Sequence, residues 1–250
     1  MKIRILTSCT GEKKHTPANQ LTLADFRHGR EHVRAREAEL KDLLTPAGAI
    51  YTGEQHVRLM RGVDAARAAG VQCEVCILSA GYGFIPEDRL VAPYECTFAK
   101  MKAKELREWA AVLQAPEGFR AAVAEPYDLG LILLGDNYLR ACALSADLEF
   151  GGPTLLFTGT GPAKHVPSVP NLRVVTLSNP EARRFSCALV GLKGEIADRV
   201  LAKVTADATF TTRTMDPAQD VLDLLGSGGA TPATGRQAVR HAKANPCVDR

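Results

Sequence analysis

The stretch YDLGLILLGD, residues 127–136, decides the fold class of this 250-residue chain. Its centre is continuously apolar and lacks the alternation of a half-buried strand, which is typical of a strand buried on both faces. Such a strand belongs to a parallel sheet that helices cover on both sides. A single acid, Asp136, follows where the apolar run ends.

Four further segments on either side of this stretch also predict buried strands. They are KIRILTS (2–8), VQCEVCILSA (71–80), PTLLFTG (153–159) and LRVVTL (172–177). Helical patterns lie between them, at about residues 29–44, 54–69, 102–113, 117–124, 137–145, 182–187 and 194–204. Strands that alternate with helices predict an α/β fold with a mainly parallel central sheet flanked by helices.

The domain organisation follows from a change in composition near residue 206. We expect residues 1–205 to form one α/β catalytic domain. Residues 206–250 form a C-terminal extension that ends in a stretch rich in Gly, Pro and Ala, with basic residues. Because this stretch has no periodic apolar face, we expect the extension to be partly disordered, with a flexible tail.

Composition excludes few functions. Hydrophobic residues make up 46% and charged residues 24% of the chain, so a globular core is expected rather than a disordered or fibrous protein. The net charge of +3 permits binding to nucleic acid but is equally common among metabolic enzymes. No signal peptide or membrane-spanning segment is visible, and we expect a cytoplasmic protein.

The seven cysteines do not form a disulfide pattern, because their number is odd and they are spread along the chain. Cys73 and Cys76 have the C-x-x-C spacing of zinc and redox sites. Within a strand, however, residues three apart point to opposite faces, so buried core thiols are the favoured interpretation. We expect neither a metal nor an organic cofactor.

Residues with binding chemistry follow the predicted strands at the edge where ligands bind in open parallel sheets. The first strand is followed by Ser8, Cys9, Lys13 and Lys14, the second by Ser79, Gly81 and Tyr82, and the third by Asp136, Asn137 and Tyr138. Taken together, they predict one polar, aromatic-lined cleft at this edge.

Basic residues occur in two segments that we expect to contact a nucleic-acid backbone. SCTGEKK (8–14) lacks the spacing of a phosphate-binding P-loop, so it is either a solvated basic turn or an anion cradle built from backbone amides and lysines. KMKAKELR (100–107) starts a basic helix, where Lys100, Lys102 and Lys104 are either solvated or in contact with phosphates.

Four aromatic residues, Tyr82, Phe84, Tyr94 and Phe98, crowd the loop after the second strand. They form either a small core under a long loop or a wall on which a planar base stacks. Glycines on both sides of Tyr82 favour a sharp bend that would project its ring into the cleft.

Asp136 is the strongest candidate for a catalytic acid. A helix N-cap would explain it without any catalytic role, and a catalytic carboxylate at the ligand-binding edge explains it equally well. Glu87 and Asp88 are weaker candidates that also fit plain surface charges.

The segments SCTGEKK, YTG (51–53), LSAGYGFIPEDRLVAPYECTF (78–98) and LLGDNYLRAC (133–142) resemble a bacterial and phage domain family of unknown function. That family has an S-C-x-x-K-like start, an L-S-A-K-Y-G core, a following P-Y and a G-x-x-Y segment. The resemblance covers about residues 3–145, and GLKGEIADRV (191–200) extends it. The chain departs from the pattern at Gly81, where the family often has lysine.

The resemblance implies a function on nucleic acid. The family is similar to an antiphage DNA glycosylase that removes glucosylated hydroxymethylcytosine, and it is distantly related to the core of archaeosine synthase and to peroxide-stress DNA-binding proteins. We therefore expect a DNA glycosylase that excises a modified base, flipped out of double-stranded DNA, with Asp136 and Asn137 as the catalytic residues. A base-modifying transferase of the archaeosine-synthase type and a non-catalytic DNA-binding stress protein are the alternatives.

Overall fold

The computed structural model describes residues 1–226, and within them ten strands form one six-stranded and two two-stranded sheets. The strands are β1 (Lys2–Ser8), β2 (Leu21–Thr22), β3 (Thr45–Pro46), β4 (Gln72–Ser79), β5 (Gly83–Pro86), β6 (Leu90–Val91), β7 (Tyr94–Glu95), β8 (Leu129–Ile132), β9 (Thr154–Thr158) and β10 (Leu172–Thr176).

The same part of the chain has twelve α-helices and two short 3-10 helices, Lys41–Leu43 and Phe98–Lys100. The α-helices are α1 (Leu23–Arg27), α2 (Arg30–Glu39), α3 (Ala47–Ile50), α4 (Glu54–Ala68), α5 (Ala103–Val112), α6 (Ala115–Ala124), α7 (Asp136–Cys142), α8 (Thr160–Ala163), α9 (Asn179–Arg184), α10 (Leu192–Ala206), α11 (Phe210–Met215) and α12 (Val221–Leu224). None of these helices is long and apolar enough to cross a membrane.

The main sheet has the strand order β10-β9-β8-β1-β4-β5. All neighbours are parallel except β5, which runs antiparallel to β4 at one edge. The predicted α/β fold with a mainly parallel sheet is thus confirmed. Numbered along the chain, the five parallel strands lie in the order 2-1-3-4-5, which is the order of flavodoxin-like doubly wound sheets.

The side chains of the central strand β1 show which helices cover each face of the sheet. Thr7 accepts a hydrogen bond of 3.3 Å from Gln55 of α4. Arg4 points to the opposite face, where it donates to the carbonyl oxygen of Ala122 in α6 at 3.1 Å. Since successive side chains of a strand alternate in direction, α4 covers one face and α6 covers the other.

Helices α4 and α10 pack against each other at unusually short range. A methyl group on Gly194 would lie 2.1 Å from the carbonyl oxygen of Gln55, and one on Gly62 would lie 2.7 Å from the Cα of Asp198. The nearly buried Glu195 of α10 accepts hydrogen bonds from Arg58 and Arg61 of α4. Glycine at these two contacts is therefore what allows the helices to approach so closely.

Residues 207–226, assigned from the sequence to the extension, pack on the rest of the protein. Phe210, Val221 and Leu222 are buried. Arg173 of β10 holds the same segment by donating to the carbonyl oxygens of Thr214 at 2.6 Å and of Asp216 at 2.7 Å. The predicted flexible tail lies, from residue 227 onward, outside the described residues.

The C-x-x-C pair lies on β4, with both thiols free. Burial raises the pKa of Cys73 and of Cys76. In residues 1–226, no group of three His, Cys, Asp or Glu side chains is placed to hold a metal ion.

Replacement of Gly194 by alanine tests the close contact between α4 and α10. In a helix, Gly→Ala normally stabilises by about 0.5–1 kcal/mol, whereas forcing a methyl group into a filled interface costs about 1–3 kcal/mol. We expect Gly194→Ala to lower the free energy of unfolding, measured by chemical denaturation. Gly161→Ala is the control, because nothing lies within 4 Å of that site. A Gly194→Ala protein at least as stable as the wild type would contradict the proposed contact.

Candidate functional site

The carboxyl ends of β1, β4 and β8 lie side by side at one edge of the sheet. The parallel registers pair Ser8 with Leu78 and Leu6 with Ile132. The strand order changes direction between β1 and β8, and ligands of open α/β sheets bind outside the strand ends at such a switch point. The residues that follow these strands are therefore the first candidates for a site.

Three hydroxyl groups at this edge form a buried hydrogen-bonded group, here called the hydroxyl cluster: Tyr51, Ser79 and Tyr94. The Ser79 hydroxyl donates to the Tyr94 oxygen at 2.7 Å, and the hydroxyls of Tyr94 and Tyr51 lie 2.8 Å apart. Ser79 also accepts from the backbone amides of Gly81 and Tyr82. Burial raises the pKa of both tyrosines, so their hydroxyls stay protonated.

Lys13 has its ammonium group buried next to the hydroxyl cluster. Its Nζ lies 4.5 Å from the centre of the Tyr94 ring and donates to the carbonyl oxygen of Thr10 at 3.1 Å. Lys13 makes no ion pair with any carboxylate of residues 1–226, and burial lowers its pKa. Lys13, which the sequence predicted as a substrate contact, is thus a desolvated amine in a cation–π contact with an aromatic ring.

Cys9 and Tyr138 connect β1 to α7. The Cys9 sulfur and the Tyr138 hydroxyl lie 3.0 Å apart, and the Tyr138 ring packs edge-on against Phe98 with centroids 5.2 Å apart. Asn137 donates its side-chain amide to the carbonyl oxygen of Phe98 at 3.2 Å. These contacts fix the start of α7 and leave the amide oxygen of Asn137 as an acceptor.

Asp136 lies in the first turn of α7, where Gly135 is the N-cap, so the N-cap explanation for this acid does not hold. It lines a cleft of about 460 Å³, here called the Asp136 cleft. The walls combine apolar side chains with polar ones: Met101, Leu106, Leu139, Leu144 and Val166 with Arg107, Asn137, Arg140 and His165. Arg140 pairs with the Asp136 carboxylate at 2.9 Å.

The basic residues predicted to contact a backbone lie in different places. Lys100, Lys102 and Lys104 are exposed next to the Asp136 cleft, whose wall includes their neighbours Met101 and Ala103. Lys100 and Lys104 make only exposed ion pairs, which contribute little. Lys14 is also exposed, and its backbone amide bonds to Ile50.

Gly81, Tyr82 and Phe84 line a second cavity of about 670 Å³, here called the aromatic cavity. The Tyr82 ring lies edge-on to Phe26 and Tyr94, with centroids 5.0 and 5.4 Å apart, and its hydroxyl accepts from the Ala92 amide. The sequence predicted a single cleft. In the structure, Tyr82 and Asp136 line two separate cavities, and α5 contributes to both.

Helix α5 contributes to both cavities. Leu106 and Arg107 line the Asp136 cleft, whereas Trp109 and Val112 line the aromatic cavity. Tyr82 and Phe84, predicted to stack on a base, therefore line a different cavity from Asp136 and Asn137, the predicted catalytic residues.

Gly81 is in contact with Phe26. A Cβ atom at this position would lie 2.4 Å from the Phe26 ring. Any larger residue at position 81 would therefore require Phe26 to move.

Lys193 is a charged residue of this edge that sequence reasoning missed. It lies in the first turn of α10 and donates to the carbonyl oxygen of Leu134, two residues before Asp136. Burial lowers the pKa of Lys193 to about 8, although the charge of Asp136 opposes this shift. A lysine at the start of a helix is an ordinary pattern. The only sequence feature that indicates burial here is the pair of glycines around it, Gly191 and Gly194, which allow close packing.

Part of the chain matches a known protein family. Residues 37–148 match a family of unknown function, DUF6884. The matched region contains β4, β8, α5 and α7 but neither the Cys9–Lys13 loop nor Lys193, and it covers less than half of the chain. No curated protein matches the chain. Because the family's description states no activity, the function is argued below from the cavities.

The lowered pKa of Lys193 predicts a dependence of stability on pH. Between pH 8 and the ordinary lysine value of 10.5, the unfolded chain binds more protons at this residue than the folded protein. Folding stability due to Lys193 therefore rises with pH over this window and is constant below it. We expect the stability of the wild type relative to Lys193→Met to increase from pH 8 to 10.5 in denaturation experiments.

The matched control for this measurement is Lys203→Met, since Lys203 is exposed in the last turn of the same helix. Its stability difference from the wild type should stay constant over the same pH range. A constant difference for Lys193→Met as well would show that its ammonium group is solvated.

Proposed function

We propose that this protein is a DNA glycosylase that hydrolyses the N-glycosidic bond of a modified base in the Asp136 cleft, as part of defence against phage. The observation that carries the proposal is the composition of this cleft. A carboxylate at the carboxyl end of a buried strand faces a cleft with apolar walls, beside arginines and a row of exposed lysines.

The basic side chains next to the cleft support binding of a phosphate backbone. Lys100, Lys102, Lys104 and Arg107 belong to one turn-and-helix segment and are all exposed. Lysine and arginine that neutralise phosphates contribute affinity without reading the sequence. The duplex would lie across the start of α5, with the cleft directly beneath.

The size and walls of the cleft support a flipped base. Its volume of about 460 Å³ falls within the range of about 300–1,000 Å³ for small-molecule sites. Met101, Leu144 and Val166, which are partly exposed, provide apolar surface for the faces of the base. Extrusion of a nucleotide costs a few kcal/mol, which these contacts and the backbone contacts would offset.

Asp136 supplies the chemistry that the reaction requires. As the bond between C1′ and the base nitrogen breaks, its electron pair leaves with the base and positive charge develops on the sugar ring. The Asp136 carboxylate stabilises this charge and takes a proton from the water that attacks C1′. The amide oxygen of Asn137 accepts a hydrogen bond from the base edge, and the ion pair with Arg140 orients the Asp136 carboxylate.

The decisive experiment compares unmodified DNA with phage DNA that carries glucosylated hydroxymethylcytosine. A glycosylase releases a free base, detected by mass spectrometry, and leaves alkali-labile sites. A transferase of the archaeosine-synthase type requires a second substrate, and a DNA-binding protein leaves the DNA unchanged. Release of no base from any modified DNA would reject the proposal.

Asp136→Asn removes the charge and retains the shape of the side chain. We expect the rate of base release to fall by about a hundredfold or more, since loss of one electrostatic contact to the transition state costs that much. Asp64→Asn, an exposed change on α4, is the matched control and should retain full activity. Full activity of Asp136→Asn in a correctly folded protein would remove Asp136 from the mechanism.

The basic row is tested by the salt dependence of DNA binding. In a triple variant, Lys100, Lys102 and Lys104 are replaced by alanine. The slope of log K for DNA binding against log salt concentration should become less negative by about 0.9 for each phosphate contact removed. The control is a triple alanine variant at the exposed Lys41, Arg183 and Lys203. Equal slopes for the two variants would place the DNA elsewhere on the surface.

A further inference from the structure

The crevice at the switch point of the sheet contains a lysine that the proposed base release does not use. This crevice lies between β1 and β8, where the strand order changes direction. Gln55 of α4 spans it, because its side-chain amide donates to the Thr7 hydroxyl at 3.3 Å and to the carbonyl oxygen of Leu133 at 3.2 Å. Lys193 of α10 donates to the next carbonyl oxygen along the chain, that of Leu134.

The two residues that follow Lys193 fix its position at the strand ends. A methyl group on Gly194 would lie 2.1 Å from the carbonyl oxygen of Gln55, so the starts of the two helices are in direct contact. Glu195 is buried and accepts a hydrogen bond from Arg58 of α4 at 2.8 Å. The backbone of Lys193 is therefore held in place, while the residue itself keeps part of its surface exposed.

Lys193 lies close to the acid proposed for base release. Leu134, which accepts its hydrogen bond, is two residues before Asp136, so the Cα atoms of these two residues are at most about 7.6 Å apart. The charge of Asp136 acts on the ammonium group, because it partly offsets the effect of burial on the pKa of Lys193. The Asp136 carboxylate is paired with Arg140 at 2.9 Å, and no ion pair joins it to Lys193 in residues 1–226.

Burial makes the Lys193 amine more reactive than that of an ordinary lysine. Its pKa is lowered to about 8, since burial disfavours the charged form. About half of such an amine is deprotonated at pH 8, compared with less than about one part in a hundred for a lysine with a pKa of 10.5. Desolvation is one way in which enzymes prepare the lysines that form Schiff bases with carbonyl groups.

The reaction proposed for Asp136 would produce a carbonyl group at this place. Removal of the base leaves a hydroxyl group on C1′, and the resulting hemiacetal opens to an aldehyde. C1′ is beside the Asp136 carboxylate at that stage, because the carboxylate acts on this atom during base release. A deprotonated amine at the end of the same strand is therefore well placed to react with the aldehyde.

We propose that Lys193 is the nucleophile of a DNA lyase activity, which cleaves the strand at the abasic site left in the Asp136 cleft. This activity rests on the proposed function, because that function places C1′ beside Asp136. To reach C1′, the amine has to leave the carbonyl oxygen of Leu134. This movement breaks one hydrogen bond and uses the rotation of a flexible four-carbon side chain.

The chemistry needs no oxidant or reductant. The lone pair of the Lys193 amine forms a bond to C1′, and the aldehyde oxygen leaves as water with both protons of the neutral amine. The resulting Schiff base takes a proton from solvent, which activates C2′. The Asp136 carboxylate, which has by then released to solvent the proton it took from the attacking water, accepts a proton from C2′.

The same step breaks the strand. The electron pair of the C2′–H bond becomes the double bond between C2′ and C3′, while the C3′–O bond breaks and the 3′ phosphate leaves with the electrons of that bond. Water then hydrolyses the Schiff base and restores the free amine of Lys193.

The experiment uses a duplex that already contains one abasic site, made by enzymatic removal of a uracil, so that it does not require base release. Sodium borohydride reduces a Schiff base to a stable amine, which links protein and DNA covalently. We expect the full-length wild type to form this adduct with the abasic duplex and not with the same duplex carrying a normal base pair. Mass spectrometry of the digested adduct should locate the link on Lys193.

Lys193→Arg keeps the positive charge and removes the nucleophile, because a guanidinium group stays protonated. We expect this variant to lose the adduct. Its melting temperature and its affinity for the abasic duplex separate loss of the nucleophile from loss of folding or of binding. Lys203→Met, in the last turn of the same helix and exposed, is the matched control and should form the adduct with the wild-type yield.

Three results would each overturn the proposal. The first is a wild type that forms no adduct with the abasic duplex, and the second is a link located on any lysine other than Lys193. The third is a Lys193→Arg protein that forms the adduct with the wild-type yield. The first two need no variant, so they decide the question even if Lys193→Arg does not fold.

The outcome is distinguishable from that of the glycosylase test. An adduct on Lys193, formed by a protein that releases no base from any modified DNA, would reject the glycosylase and retain the lyase. Base release without an adduct would do the opposite.

Discussion

The parallel pairing of β1 with both of its neighbours is the constraint on which the rest of the structure depends. β1 is bonded to β4 on one side and to β8 on the other, in a register that brings all three carboxyl ends to the same level. Because a shift of one residue would turn every side chain to the opposite face, this register also determines that Thr7 meets α4 while Arg4 meets α6. Gly81 and Tyr82, which follow β4, and Asp136, which follows β8, leave the sheet at this edge and line the two cavities.

Polar groups buried at this edge connect the residues that line the two cavities. Tyr94 contacts Tyr82 in the aromatic cavity, and it also holds Ser79 and the ammonium group of Lys13. On the other side, Cys9 reaches α7 through Tyr138. Buried polar groups are costly unless they are paired, so the hydrogen bonds among Tyr51, Ser79 and Tyr94 favour a single arrangement of the loops that carry them.

Sequence patterns predicted the sheet because YDLGLILLGD and KIRILTS are short apolar segments, and this composition alone is typical of a buried strand. They could not predict that Tyr82 and Asp136 line different cavities, since that depends on where α2 and α5 pack. The sequence of neither helix indicates which part of the protein it packs against. Lys193 was missed for the same reason, because its burial depends on where α10 packs relative to Leu134 at the end of the third parallel strand. Residues that follow strands can be placed on an edge from sequence, whereas the division of that edge into cavities is a property of tertiary packing.

The contact of Arg173 with the segment from Thr214 to Asp216 has a consequence for solubility. β10 pairs only with β9, so its other side is an open edge that presents unpaired backbone groups, and such edges are templates for association between chains. Arg173 fastens residues 207–226 next to this strand through backbone carbonyls, which do not depend on the side chains of the segment. Because Phe210, Val221 and Leu222 of this segment are buried, its loss would expose apolar surface beside an open strand edge, and both features favour association between chains.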